Sequence, residues 1–367
     1  MLQLLFDHQT FSTQKYGGIS RYFATLQNKL GNAEDIHAKT GLFYTNNYYL
    51  KDYPPSLNTA FGKLLLKKQR KIYKWNKKYS KYLVSKNNFD IFHPTYYDPY
   101  FIEVLKKPYV ITVHDMIHEL MPEYFSPSDI ASTHKRQCIE NAAHIIAISE
   151  TTKRDLKDIL NIPDERISVI YHGFQPANIG QHHDAEPPIN LENAYLFYVG
   201  DRTGYKNFPR FIRAIASLLR TKNIKLICAG GGAFQYAETE LFNRMKIKQQ
   251  VSQISATDPQ LNLLYQNAKA FIFPSLYEGF GMSILESFHN KCPIILSNTE
   301  SFKEIAGDAA AYFNPYEEQS ILQTIERVIF DEQYAAKLVE EGSKRLLNFT
   351  IEQCISKTTA VYKGLSL

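Results

Sequence analysis

The stretch AFIFPSLYEGFGMSILESFHN constrains the fold more than any other, because it predicts three elements in direct succession. Ala270–Phe273 is a short apolar run ended by a proline, which is typical of a buried strand. A turn containing Gly279 and Gly281 follows, and from Met282 apolar residues recur at helical spacing. This order places backbone N–H groups and the positive end of a helix dipole at a sheet edge, an arrangement that binds anions and phosphate above all.

Two carboxylates bracket this predicted phosphate site, Glu278 just before the glycine turn and Glu286 within the helix. Carboxylates are electrostatically costly beside a phosphate, so we expect them to accept hydrogen bonds from sugar hydroxyls. The phrase PSLYEGFGMSILES resembles the Glu-x7-Glu signature of glycosyltransferase family 4, retaining enzymes of the GT-B fold that use nucleotide sugars. The resemblance implies that Glu278 holds the donor sugar and Glu286 the ribose hydroxyls. It places the amides of Phe280, Gly281 and Met282 at the phosphates.

Strands and helices alternate along the whole chain, which indicates an α/β fold with parallel sheets. Strands are predicted at Leu2–Phe6, Phe89–His93, Tyr109–Val113, His144–Ile148, Ile167–Tyr171, Ala194–Val199, Ile224–Ala229, Ala270–Phe273 and Pro293–Ser297. Helices are predicted up to Leu30, near Ser128–Ala142, after the capping Ser149, at Phe208–Arg220, near Phe234–Lys246, near Asp258–Lys269 and beyond Pro315.

The chain length of 367 residues favours two domains. The alternation breaks at Gly173–Pro188, a polar segment rich in proline and glycine whose His182-His183 pair we interpret as solvated linker. We therefore expect Rossmann-like domains at 1–175 and 189–350. The resemblance implies that they face each other across a cleft, as in GT-B enzymes, and that a final helix at about 351–367 crosses back to the first domain.

The loop after the predicted strand Ala194–Val199 carries two cations four residues apart, Arg202 and Lys206. Cations at the carboxyl end of a strand suit a diphosphate, on which negative charge builds as it leaves. The family resemblance places its catalytic arginine and lysine on these residues. The sequence contains no Asp-x-Asp, the usual metal–diphosphate ligand of the other large glycosyltransferase fold, so we expect no metal and no cofactor.

Two further site candidates lie in the N-terminal half. Gly17 and Gly18 stand where a helix is predicted to begin, and they match the glycine loop whose amides approach the donor phosphates in the family. His114 follows the strand Tyr109–Val113, at the edge where α/β proteins bind ligands. The family often has a histidine there, near the donor sugar, so we assign His114 to sugar contact and electrostatic support.

One segment makes the protein basic. Between Lys63 and Lys86 lie ten basic residues and no acidic one, and the whole chain has a formal net charge of +5. The segment also carries Trp75 and several tyrosines. A basic, aromatic helix suits an anionic membrane surface, but a solvated helix with its aromatic side chains in the core is an equally good interpretation.

From other features of the sequence we expect a cytoplasmic chain, either free or peripheral at the inner face of the cytoplasmic membrane. No apolar run approaches the ~20 residues that span a bilayer, and the N-terminus lacks the basic region of a signal peptide. The cysteines at 138, 228, 292 and 354 have no metal-ligand spacing, so we expect them to be small buried residues.

The resemblance predicts a retaining hexosyltransferase that builds a cell-surface polysaccharide such as lipopolysaccharide. Its donor would be a nucleotide-diphosphate sugar, GDP-mannose or a UDP-hexose, its acceptor a glycan or lipid-linked saccharide, and it would have no nucleic-acid partner. A nucleotide-sugar epimerase of the same fold and a non-catalytic nucleotide- or sugar-binding protein are the alternatives. Acceptor-dependent release of nucleotide distinguishes all three.

Overall fold

The computed structural model describes residues 1–31, 35–50, 68–175, 188–189, 191 and 193–366. The chain divides into two compact units, Met1–Gly173 with Ile351–Leu367, and Phe174–Thr350. The C-terminal helix Ile351–Leu365 thus belongs to the first unit. Most of the predicted linker, including His182 and His183, lies outside the described residues.

The first unit is built on two three-stranded parallel sheets with orders β2-β1-β3 and β4-β5-β6. A parallel bridge between Phe92 and Tyr109 joins them. The strands are β1 Leu2–Phe6, β2 Ile36–Thr40, β3 Ile91–His93, β4 Val110–Val113, β5 His144–Ala147 and β6 Ile167–Val169. The helices are α1 Gln9–Thr13, α2 Gly18–Gly31, α3 Gln69–Lys86, α4 Ile117–Leu120, α5 Ala131–Glu140 and α6 Glu150–Leu160.

The second unit has one six-stranded parallel sheet with the order β12-β11-β10-β7-β8-β9. Its strands are β7 Tyr195–Val199, β8 Lys225–Ala229, β9 Val251–Ile254, β10 Ala270–Phe273, β11 Ile294–Ser297 and β12 Ala311–Phe313. Its helices are α7 Phe208–Thr221, α8 Tyr236–Arg244, α9 Asp258–Asn267, α10 Met282–His289, α11 Glu300–Ala306, α12 Glu318–Phe330 and α13 Glu332–Leu346. The strand order reverses between β7 and β10, the position where open α/β sheets bind ligands.

Apolar faces at helical spacing hold each unit together. In α7, Phe208, Phe211, Ile215 and Leu219 recur every three or four residues and are all fully buried against the sheet. Burial of each such side chain stabilises the fold by about 1.5–3 kcal/mol relative to exposure.

The α/β prediction is confirmed, and all nine predicted strands are present with ends that differ by at most two residues. Ser149 caps α6 as expected, since its Oγ accepts a hydrogen bond from the N–H of Thr152 over 3.0 Å. The four cysteines are buried and free, which confirms that prediction. Among the helices that the structure describes, none combines the length and the apolar character that a membrane crossing requires.

Candidate active site

The glycine turn after β10 needs glycine at its last position. Gly281 precedes α10 with a φ of 93°, and a Cβ added there would lie 3.1 Å from side-chain atoms of both Ile284 and Phe302. The N–H of Leu276 donates to the carbonyl of Tyr205 over 2.8 Å, which ties this turn to the loop after β7. Two loops that leave neighbouring strands at the reversal point are therefore fastened together.

Lys206 and Glu278 form an ion pair where these two loops meet. Lys206 Nζ lies 2.5 Å from Glu278 Oε1, and the two side chains are 17% and 16% exposed. Burial alone would lower the pKa of Lys206, but the Glu278 carboxylate and Tyr205 outweigh it and raise that pKa above its ordinary value. The lysine therefore stays charged at physiological pH, and the pair offers a cation and a hydrogen-bond acceptor side by side.

Arg202 lies in the same loop as Lys206 but points elsewhere. Its side chain is 3% exposed, and its Nε donates to Glu238 Oε1 over 2.6 Å. Its terminal nitrogens donate to backbone carbonyls of the loop after β8, Nη1 to Gly230 over 2.9 Å and Nη2 to Gly232 over 2.9 Å. Of the two cations that the sequence singles out, the structure brings Lys206 to Glu278 and directs Arg202 to Glu238.

The remaining candidates of the second unit lie on or beside α10. Glu286 is half-buried in the second turn of this helix, and its Oε2 accepts a hydrogen bond from Tyr265 Oη over 3.2 Å. Phe280 is buried with its ring edge-on to Phe349, so its side chain anchors the turn. Met282 is the first residue of α10, where the backbone amides have no carbonyl partner one turn earlier in the same helix.

In the first unit, the predicted glycine loop lies at the start of α2. Gly17 packs against the side chain of Gln14, whose Oε1 would lie only 2.4 Å from an added Cβ. Gly18 is the first residue of α2 and has open space around its Cα. The close packing of Gly17 accounts for one glycine, whereas Gly18 leaves room for a ligand at a helix start.

His114 follows β4 and is buried without a hydrogen-bond partner on either ring nitrogen among the described residues. Burial lowers its pKa to about 4, so the imidazole is neutral. The rings of His114 and His172 stack with their centroids 5.8 Å apart, and Tyr22 packs edge-on against both. An imidazole with two unused polar atoms is costly to bury, which makes His114 a good candidate for a ligand contact.

Sequence reasoning missed a polar network directly after β1. The buried carboxylate of Asp7 accepts hydrogen bonds from Thr95 Oγ1 over 2.6 Å and from Tyr100 Oη over 3.1 Å. Asp98 accepts from Tyr73 Oη and Lys77 Nζ, both over 2.6 Å, and so fastens α3 to this region. The signal was available, because a charged residue directly after a buried strand lies at the ligand-binding edge of a sheet.

The structure resolves how the basic helix presents its residues, apart from Lys63 and Lys67, which lie outside the described residues. Ile72, Asn76, Ser80 and Val84, at steps of four, form its buried face. The opposite face exposes Lys71, Lys74, Trp75, Lys78, Tyr82 and Lys86. Trp75 and Tyr82 are 51% and 55% exposed, so the interpretation that places them in the core is wrong.

Lys206 is the cation that the structure brings to Glu278, and no metal-ligand cluster accompanies them. Among the residues described, no group of three or more histidine, cysteine, aspartate or glutamate side chains is placed to hold a metal ion. The lysine and the start of α10 are positive groups at this edge.

Two family models match the chain. The model described as "Glycosyl transferases group 1" matches residues 181–345, and the one described as "Glycosyltransferase Family 4" matches residues 16–178. Together they span most of both units. These matches and the relatives below indicate a glycosyltransferase.

The chain is similar to the O-antigen chain mannosyltransferase RfbU of Salmonella typhimurium, with 27% identity over 219 residues. That alignment covers 58% of this chain and 59% of RfbU, less than two thirds of its length. The chain is also 24% identical over 287 residues to the O-antigen chain mannosyltransferase B of Escherichia coli. This second alignment covers 75% of this chain and 74% of that protein.

Among solved structures, the fold is similar to that of Anabaena Alr3699/HepE, determined in complex with UDP and glucose. The TM-score is 0.73 at 16% identity, and the alignment covers 100% of both chains. This likeness extends over the two α/β units and confirms the GT-B prediction for the fold.

Proposed function

We propose that the chain, whose two halves match the models of glycosyl transferases group 1 and glycosyltransferase family 4, moves a hexosyl group from a nucleotide-diphosphate sugar to a saccharide or lipid-linked saccharide. The partly buried Lys206–Glu278 pair at the reversal point of the second sheet carries this proposal. Mannose, supplied as GDP-mannose, is the first choice of donor, since two relatives are mannosyltransferases by name. A UDP-hexose is the second choice. The product would enter a cell-surface polysaccharide.

The chemistry follows from what each side chain can donate or accept. An ammonium has three donors, so Lys206 can keep one hydrogen bond to Glu278 and direct others to phosphate oxygens. As the bond between the sugar C1 and the diphosphate oxygen breaks, the diphosphate gains negative charge that Lys206 and the start of α10 stabilise. Glu278, an acceptor only, orients the sugar through its hydroxyls.

We assign the acceptor step to a same-face attack, which retains the configuration at C1. The acceptor hydroxyl forms the new C1–O bond while its proton passes to an oxygen of the departing diphosphate. This step needs no protein nucleophile and no general base. It is compatible with Glu278, because that carboxylate is already paired with Lys206. Glu286 then holds the ribose, and the turn amides of Phe280 to Met282 meet the phosphates.

The first unit supplies His114, together with Gly17 and Gly18. Neutral imidazole offers one donor and one acceptor, which matches a sugar hydroxyl better than a phosphate. We therefore propose that His114 contacts the donor sugar and that the start of α2 at Gly18 approaches the phosphates.

Acceptor-dependent release of nucleotide is the experiment that tests the function. The purified chain is incubated with GDP-mannose or UDP-hexoses, with and without an acceptor fraction of lipid-linked saccharides. A transferase releases nucleoside diphosphate only when the acceptor is present. Acceptor-independent conversion of the sugar would identify an epimerase, and binding without turnover in any mixture would identify a binding protein. A thermal-shift comparison of GDP with UDP decides the base.

We propose that transfer needs no divalent metal, because Lys206 already provides charge neutralisation at the diphosphate. Turnover in EDTA should equal that in Mg²⁺ or Mn²⁺. Activity that disappears in EDTA and returns only with added metal would refute this part of the proposal.

We also propose that the exposed face of α3 docks on an anionic membrane. Trp75 and Tyr82, two helical turns apart, share this face with lysines 71, 74, 78 and 86. Two other lysines of the helix contact acidic partners, Lys77 with Asp98 at 2.6 Å and Lys81 with Glu103 at 3.8 Å. Amphipathic aromatic rings and cations that contact no acidic partner among the described residues together suit the headgroup region, at about 1 kcal/mol per basic residue near the surface.

Vesicle sedimentation tests the docking. The chain should bind vesicles of anionic lipid at low salt, ignore vesicles of neutral lipid, and be released as salt shortens the Debye length. Changing Lys71, Lys74 and Lys78 to Gln should abolish binding and leave the nucleotide thermal shift unchanged. The control variant changes the exposed Lys222, Lys248 and Lys337 of the second unit to Gln, with the same loss of charge. Equal effects of the two variants would contradict a specific docking face.

A further inference from the structure

Arg202 is unusual for a cation placed at a phosphate-binding edge, because its hydrogen bonds are directed into the protein. Nε donates to a carboxylate that is itself 13% exposed, and Nη1 and Nη2 donate to carbonyls of the loop after β8. The ring of Phe234 lies 4.9 Å from its guanidinium carbon. A guanidinium with partners at every nitrogen is stabilised where it stands, and turning it to a ligand would leave those partners unpaired.

The loop after β8 is shaped around this side chain. Gly230, Gly231 and Gly232 have φ values of 81°, 67° and 71°, a left-handed run that other residues adopt only at a cost. The run turns successive carbonyls toward the guanidinium. A Cβ added at Gly231 would lie 2.5 Å from Arg202 Nη1 and 2.7 Å from the carbonyl oxygen of Gly200.

Three segments therefore meet at Arg202. They are the loop after β7, which continues to Lys206, the glycine run after β8, and the first turn of α8 through Glu238. The N–H of Gly200 donates to the carbonyl of Ala229 over 2.9 Å, so the two loops already touch where they leave their strands. Glu238 is held in turn by the N–H of Gln235, which donates to its Oε2 over 2.7 Å.

We propose that Arg202 and Glu238 form a clasp that positions the loop carrying Lys206, and that Arg202 acts on transfer through this loop rather than by touching the diphosphate. The inference rests on the proposed function, because Lys206 is the phosphate cation there. Arg202 is thus a positioning residue, and Glu238, which the sequence did not single out, shares its role.

A clasp makes Arg202 and Glu238 equally necessary for transfer. This distinguishes it from a direct contact between Arg202 and the diphosphate. A direct ligand would not depend on Glu238, so Glu238→Gln would leave transfer close to that of the parent. In a clasp, Arg202→Lys loses the planar fork that reaches a carboxylate and several carbonyls at once. Glu238→Gln breaks the same interaction from the other side.

The test compares Arg202→Lys, Glu238→Gln and the double variant with the parent in steady-state transfer, well below the melting temperature of each. We expect each single variant to lower kcat/KM for the donor about tenfold, the double variant to lower it no further, and KM for the acceptor to stay unchanged. Arg213→Gln and Glu318→Gln are the matched controls. Their Nε–Oε1 distance is also 2.6 Å, but the side chains are 40% and 44% exposed and belong to the helices α7 and α12. These controls should equal the parent.

Two outcomes overturn the clasp. One is that kcat/KM of Arg202→Lys stays close to that of the parent and Glu238→Gln has no effect. The other is that the losses in kcat/KM add in the double variant. The affinity for GDP or UDP, measured by calorimetry, provides a second readout that does not depend on turnover. Both single variants should weaken it by the same factor. A parent that binds nucleotide but shows no acceptor-dependent release would refute the proposed function and leave the clasp testable through this affinity.

Discussion

The carboxyl edges of the two units hold different kinds of polar side chain. The second unit keeps charged groups in pairs, Lys206 with Glu278 and Arg202 with Glu238. The first unit buries imidazoles that burial keeps neutral, among them His114 after β4. It also holds charged groups, the hydrogen-bonded Asp7 and the pair of Lys77 with Asp98. Buried charge is tolerated when it is paired or hydrogen-bonded, whereas a neutral imidazole has only a single donor and a single acceptor to satisfy.

Each kind of side chain suits a different chemical group of the proposed donor. Paired charge in the second unit suits a diphosphate, because a strong cation is present without an isolated buried charge before the ligand arrives. Neutral imidazole in the first unit suits a sugar hydroxyl. The predictions below test each side of this contrast, beginning with the largest change in free energy.

Acid should destabilise the first unit because of its buried histidines. Burial lowers the pKa of His8 and His114 to about 4 and of His93 and His172 to about 3. A histidine in the unfolded chain binds a proton near pH 6.5, whereas these buried histidines do so only at lower pH. The free energy of unfolding is therefore highest above pH 6.5 and falls as the pH drops toward the pKa values of the folded protein. Each histidine lowers the free energy of unfolding by up to about 1.4 kcal/mol per pH unit. The four together lower it by on the order of 5 kcal/mol per pH unit.

Denaturant unfolding at pH 7.5, 6.5 and 5.5 measures this loss. His8→Asn should reduce the slope of the unfolding free energy against pH, below pH 6.5, by the equivalent of about one bound proton. That is roughly a quarter of the total slope. The second unit contributes little here, since His289 is the histidine that the structure describes in it and is only partly buried. A midpoint that is the same at pH 5.5 and 7.5 would show that these histidines are not held neutral.

Removing the cation of the second unit should have the next largest effect. Lys206→Ala is expected to lower turnover by about 10²–10³, comparable with the loss of one preorganised donor at a developing negative charge. The fold should survive, because Lys206 lies in a strand-end loop and not in the core. The control is Lys222→Ala, an exposed lysine at the end of α7. Turnover of Lys206→Ala within a few-fold of the parent would remove the lysine from the phosphate role.

The glycine turn should be sensitive to a single methyl group. Gly281→Ala forces a φ of 93° on a residue with a Cβ and brings that atom to 3.1 Å from Ile284 and Phe302. We expect a loss of about 1–3 kcal/mol in unfolding free energy, with weaker nucleotide binding. Gly364→Ala is the matched control, since its surroundings are open and it lies in a helix. Equal melting temperatures of the two variants would show that the turn relaxes without cost.

The sequence predicted the central strands and the edge strand β6, but it missed three other edge strands. β2, β9 and β12 each lie at an edge of a sheet, and their sequences IHAKT, VSQI and AYF are short or interrupted by polar residues. Strands buried on both faces read as continuous apolar runs, whereas edge strands carry less apolar sequence. Pairing with a neighbour completes them, and that information lies elsewhere in the chain.

The same distinction applies to the site. The meeting of Lys206 with Glu278 was accessible, because both follow strands that the sequence reveals and the family motif names them. The partners of Arg202 were not, since Glu238 lies 36 residues away and the glycine carbonyls act through backbone geometry. A spacing between two cations shows that they share a loop, but not where each side chain points.

The smallest expected effect concerns His114 and the pH of transfer. His114→Asn keeps a donor and an acceptor on a smaller side chain, so the loss should be that of one neutral hydrogen bond, about 0.5–1.5 kcal/mol or roughly two- to tenfold in kcat/KM for the donor. Burial lowers the pKa of His114 to about 4, and the imidazole therefore gains no proton between pH 8 and 5.5. The pH profiles of kcat/KM for the parent and for His114→Asn should then run parallel over this range. An inflection near pH 6.5 that is present in the parent and absent in the variant would mean that His114 titrates as it does in water. It would then act in the charged form, and the contrast between a neutral sugar-binding edge and a charged phosphate-binding edge would fail.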